Sequence, residues 1–67
     1  MGVVRLRLSE VLVELGWTQK QLAEKSGISE HSISMLMRQP RAIRFETIEA
    51  ICRATGKRPD ELIVFED

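Results

Sequence analysis

Sixty-seven residues are enough for one domain with a single small core, so a single domain is expected. The 43% apolar content is ordinary for a globular protein, and no apolar run approaches the roughly 18 residues of a membrane span, so a soluble protein is expected. Ten basic and ten acidic side chains cancel, so bulk charge points to neither nucleic acid nor membrane as a partner. The charges are unevenly placed, however. Residues 17 to 44 hold five bases (Lys20, Lys25, Arg38, Arg41, Arg44) against two acids (Glu24, Glu30), whereas Asp60, Glu61, Glu66 and Asp67 close the chain with no base among them. One cysteine, Cys52, allows no internal disulfide and no metal cluster, which fits a reducing compartment, and the cytoplasm is expected. The opening MGVVRLRLSE lacks the apolar core and cleavage site of a secretory signal, so no export is expected.

In chain order, VVRL at residues 3 to 6 is β-prone and too short to be stable alone. Leu8, Val11, Leu12 and Leu15 recur at i, i+3, i+4, i+7, which predicts a first helix over about residues 7 to 15, ended by Gly16. Thr18 and Gln21 then stand at the two positions of a capping box, with Trp17 and Leu22 at the ends of a hydrophobic staple. A second helix is therefore predicted from Gln19 to the Ser26-Gly27 turn. Ser29 is placed to cap a third helix (29–38), with Ile28 and Ile33 at its staple positions. Its Ile33, Leu36 and Met37 share one face, while Glu30, His31, Ser34, Met35 and Arg38 gather on the opposite side. Gln39-Pro40 ends it and RAIR follows as a loop. Phe45, Ile48, Ile51, Cys52 and Thr55 predict a fourth helix closed by Gly56. Pro59, Asp60 and Glu61 fit the first turn of a short fifth. The last β-prone stretch, IVF at 63 to 65, is placed to pair with VVRL.

Two short helices joined by a glycine turn, the second with one buried and one polar face, form the arrangement that enters the major groove of DNA. The stretch TQKQLAEKSGISEHSISMLMR resembles the helix-turn-helix of the lambda-repressor and Cro type, the Xre family, with its pattern T-Q-x-x-L-A-x-x-x-G-I-S followed by x-x-x-I-S-x-L. RFETIEAIC and ATGKRPDEL are similar to that family's fourth and fifth helices, so the resemblance spans nearly the whole chain. It implies an all-α, five-helix lambda-repressor-like domain over residues 1–67, with a helix-turn-helix core at 18–38 and a small two-stranded ribbon from the chain ends. Ala23 is then the small residue where the second and third helices cross. Gly27 makes the turn, and Leu22, Ile28, Ile33 and Leu36 set the angle between the helices.

The resemblance further implies that Thr18 and Gln19 contact a phosphate. Glu30, His31 and Met35, with Ser32 and Ser34 as lesser candidates, would read base edges, and Arg38, Arg41 and Arg44 would sit against the phosphate backbone. Glu30 opposes phosphate, yet a glutamate accepts from cytosine N4. The chain departs from the family pattern at Arg38-Gln39-Pro40, where Asn-Gly is usual, and at Arg44 and Arg58, which replace helix-capping residues. His31 is the only histidine and has no cysteine or second histidine to share a metal. Cys52 falls on the inward stripe of the fourth helix and reads as a small core residue, and Trp17 as a staple. No cofactor or metal is implied. The implied function is a sequence-specific double-stranded DNA-binding transcriptional regulator, a repressor, with no enzymatic activity. The competing reading is an antitoxin, held to a toxin, or another protein-interaction module on the same fold with weak or no DNA binding. The apolar residues left over from the helical core, Val3, Val4, Ile63, Val64 and Phe65, together with the fifth helix are expected to form the interface of a weak homodimer.

Overall fold

In the computed structural model, which describes residues 2–39 and 43–66, the elements run β1 (Val3–Leu6), α1 (Leu8–Leu15), α2 (Gln19–Ser26), α3 (Glu30–Arg38), α4 (Phe45–Thr55), α5 (Pro59–Leu62) and β2 (Ile63–Glu66). The local signals account for most of these limits. Thr18 Oγ1 accepts the Gln21 N–H at 3.1 Å while Gln21 Oε1 accepts the Thr18 N–H at 2.8 Å, so the capping box satisfies two donors that the start of α2 leaves free. Ser29 Oγ accepts the Ser32 N–H at 3.1 Å and caps α3. Between them Gly27 adopts φ +77°, a left-handed conformation that costs a side-chain-bearing residue about 1–2 kcal/mol, and α2 turns into α3 there. α3 ends at Arg38 with Gln39 in a non-helical conformation. Pro40 and Arg41, expected to stop this helix and to start the following loop, lie outside the described residues.

The core takes Leu8, Val11 and Leu12 from α1, Leu22 from α2, Ile33 and Leu36 from α3, Ile51 from α4 and Leu62 from α5. Each such side chain contributes about 1.5–3 kcal/mol on burial. Trp17, Ala23, Ile28, Ile48 and Cys52 pack around this cluster, and α2 packs against both α3 and α4. The stripe assigned to the fourth helix is correct from Ile48 onward, but Phe45 is 82% exposed. Periodicity assigns a face and says nothing of how far along the helix the opposing elements reach.

The two chain ends pair as an antiparallel ribbon in the register Val3↔Glu66, Val4↔Phe65, Arg5↔Val64, Leu6↔Ile63. The Arg7 N–H donates to the Leu62 carbonyl at 2.7 Å, joining the ribbon to the start of α1 and the end of α5. Leu6 and Ile63 pack against the core, which corrects the expectation that Ile63 is left over from it. Alternation places Val4 and Phe65 on the same side of the ribbon as Leu6 and Ile63, but they lie beyond the globule and are exposed. Val64 is half-buried. Among the described residues no helix is long and apolar enough to cross a membrane.

Candidate nucleic-acid interface

α3 presents Glu30 and His31 from its first turn and Met35 one turn later, all exposed, while Ile33 and Leu36 on the other side anchor the helix in the core. Glu30 also lies at the positive end of the helix dipole and Arg38 at the negative end, so each charge favours α3 irrespective of any ligand. The two lesser readout candidates are already engaged. Ser32 Oγ accepts from Ser29 Oγ at 2.8 Å. Ser34 is half-buried rather than free on the polar side, and its hydroxyl donates to Gln19 Oε1 at 3.0 Å across the α2–α3 junction. The structure therefore brings Gln19 and Ser34 together and leaves Glu30, His31 and Met35 open to solvent.

A groove of ≈ 380 Å³ runs between α3 and the first turn of α4, lined by His31, Ser32, Met35, Leu36, Gln39, Arg44 and Thr47. It sets a candidate reader, His31, and a candidate phosphate contact, Arg44, on one concave surface. Gln39 and Thr47 were not among the sequence candidates, because only the packing of α3 beside α4 makes them neighbours of His31. Arg44 precedes α4 in an extended conformation, supplies no side-chain cap and meets no acid among the described residues. Arg41 lies outside the described residues.

The distribution of ion pairs separates the molecule into two parts. Arg5 pairs with Glu10 and Glu66, Arg7 with Glu10, Arg53 with Glu49, Lys57 with Glu14 and Arg58 with Asp60. Hydrogen bonds from Arg5 and then from Arg7 hold the Glu10 carboxyl below the usual carboxylate range. Lys20, Arg38 and Arg44 meet no acid among the described residues, and Lys25 lies over the Trp17 ring, 5.1 Å from its centroid. A net charge of zero thus hides a division: Arg5, Arg7, Arg53, Lys57 and Arg58 are neutralised locally, whereas Lys20, Lys25, Arg38 and Arg44 meet no acid among the described residues. Lys20, on the exposed first turn of α2, belongs to this second set, and its position in a base-rich stretch was the signal for it.

No group of three or more His, Cys, Asp or Glu able to hold a metal occurs among the described residues. Burial, and then the nearby Glu61 carboxylate, raise the Cys52 thiol above its ordinary value, the opposite of what an activated nucleophile needs. The arrangement suits binding a polyanion along the α2–α3 side. A family model described as a Cro/C1-type HTH DNA-binding domain matches residues 7–67. No curated protein and no solved structure matches the chain.

Proposed function

The chain belongs to the family of Cro/C1-type helix-turn-helix DNA-binding domains, and from that premise we propose that it is a sequence-specific transcriptional regulator that reads the major groove of duplex DNA with α3. Glu30, His31 and Met35 face the base edges in this reading, while Thr18, Gln19, Arg38, Arg41 and Arg44 hold the phosphate backbone on either side. The observation that carries it is the absence of acid partners for Lys20, Arg38 and Arg44 among the described residues, while Arg5, Arg7, Arg53, Lys57 and Arg58 are all ion-paired. An unpaired guanidinium beside a phosphate releases condensed counterions, and that is the main source of protein–DNA affinity. Repression follows from occupancy of the operator, in the cytoplasm, with no catalytic step.

Two copies read a two-fold site in this proposal, with half-sites about one helical turn, roughly 34 Å, apart. The exposed Val3, Val4 and Phe65 of the ribbon, with α5, form the contact between them. Such a contact is small, so the dimer is weak in solution and completed on DNA. The same exposed apolar residues favour a second reading, a protein-interaction module or antitoxin that holds another protein on this fold. Selection from random duplexes, followed by titration of the selected duplex at low and moderate salt, decides between the two. The expected result is one enriched palindromic motif, bound with an affinity that falls steeply with salt. Failure to enrich any motif, with no retention of duplex at moderate salt, leaves the interaction module.

A further inference from the structure

Gln19 and Ser34 are 15 residues apart in sequence, on different helices, and meet in one hydrogen bond at the half-buried junction between α2 and α3. A glutamine amide has an acceptor oxygen on one side and two N–H donors on the other. The side chain rotates freely unless something distinguishes the two ends. In the structure the Ser34 hydroxyl donates to Oε1 at 3.0 Å, which engages the acceptor end of the amide and leaves Nε2 out of this bond. A phosphate oxygen only accepts, and this is the one orientation of the amide that suits it.

We infer that Ser34 is a positioning residue which acts through Gln19, holding its amide as a donor toward the DNA backbone, and that it reads no base itself. Ser34 sits in the middle of the helix that carries Glu30, His31 and Met35. The same bond therefore links the helix that carries the reading side chains to the backbone contact at the start of α2, while the core packing of Leu22, Ile33 and Leu36 sets the distance between the two helices. This inference rests on the proposed DNA reading and assigns one division of labour within it: Ser34 leaves the readout set and joins the positioning set.

The test is a double-mutant cycle on the duplex selected with the wild-type protein, measured for Ser34→Ala, Gln19→Ala and the double variant, together with Ser34→Thr and Gln19→Glu. Ser34→Ala is expected to weaken binding by about threefold to tenfold, the range of one neutral hydrogen bond. It should leave both the preferred bases and the salt slope unchanged, because no charge is removed. In the Gln19→Ala background it should have no further effect, and Ser34→Thr, which retains a hydroxyl, should restore much of the affinity. Gln19→Glu retains the acceptor for Ser34 but has no N–H for phosphate, so it should bind at least as poorly as Gln19→Ala while melting like the wild type. A changed base preference in Ser34→Ala, or losses that add in the double variant, overturns the inference and leaves the DNA reading intact. If the wild type retains no duplex, the DNA reading fails, and this inference with it.

Discussion

Arg38 and Arg44 are exposed side chains without an acid partner among the described residues. If each lies against a phosphate, replacing either with glutamine weakens binding to every sequence alike and lowers the log-log salt slope by about 0.9 for each phosphate no longer neutralised. Selectivity is expected to stay as it was, and a variant that lost selectivity while keeping its slope would identify a base reader instead. Glu30 and His31 make the opposite kind of contact in the proposal. Glu30→Ala or His31→Ala should change the preferred base at one or two positions, with about 1–3 kcal/mol at stake for a good pairing. Glu30→Ala should also raise affinity for unrelated duplex by removing a negative charge, at a cost of about 0.3–1 kcal/mol in stability from the helix dipole. Repeating the selection with each variant checks this, and recovery of the wild-type motif from both removes the readout assignment.

Three helices carry their own start signals, and two, α1 behind Arg7 and α4 behind Arg44, lack a side-chain cap. α2 is capped by Thr18, α3 by Ser29, and α5 by Glu61, whose carboxylate accepts the Arg58 N–H at 2.8 Å. α4 begins at Arg44, whose backbone has the extended geometry of a cap (φ −96°, ψ 157°) but whose side chain supplies no acceptor. Arg44→Ser should therefore stabilise the fold by up to about 1 kcal/mol, a few degrees in Tm, and at the same time weaken DNA binding. Thermal unfolding and duplex titration of one preparation read the two effects, and a loss in both would mean that Arg44 supports the fold. At the other end of the molecule, Glu10 on α1 accepts from Arg5 of β1 at 2.6 Å and from Arg7 at 2.9 Å, clamping the ribbon to the first helix. Its carboxyl is held below the ordinary range, so the clamp contributes stability above the unfolded-state value of about 4.3 and loses it as pH falls through the lower folded-state value. Glu10→Gln should thus lower Tm at neutral pH and converge with the wild type in acid. Parallel curves of Tm against pH would show that the clamp contributes nothing.

At the scale of the whole molecule, the ribbon leaves apolar surface that the single core does not cover. Phe65 is 69% exposed and Val4 63%, side by side at the outer end of the sheet. Phe65→Asp should leave the fold intact and reduce the mass seen by sedimentation at high concentration, and it should weaken binding to a full palindrome far more than to a half-site. Ile63 is unsuitable for this test, because it packs against the core and a charge there would unfold the domain. Equal sedimentation of variant and wild type, with equal binding to the palindrome, would place the two-fold contact elsewhere.

The starts of α2, α3 and α5 and the places of the two strands were legible in the chain because their signals are local. A cap, its partner three residues on and a staple five residues apart are all set by backbone geometry within one turn of helix. The resemblance of the helix-turn-helix stretch brought the fold and the candidate positions with it. What periodicity did not encode is where one element ends against another. Phe45 shares its stripe with Ile51 yet is exposed, while Ile63, read as surplus, packs against the core. Ser34 falls on the free side of its helix by spacing and is instead bonded to Gln19. The pairing of Arg5, Arg7 and Lys57, which sets them apart from Lys20, Arg38 and Arg44 with no acid partner among the described residues, joins side chains up to 61 residues apart. Periodicity, caps and charge placement in the chain were enough to locate the helices, most of their inward stripes and the segment where positive charge collects. Which of those charges are neutralised and which polar groups are already taken follows from the packing of the elements, because both depend on how far and at what angle one element crosses another.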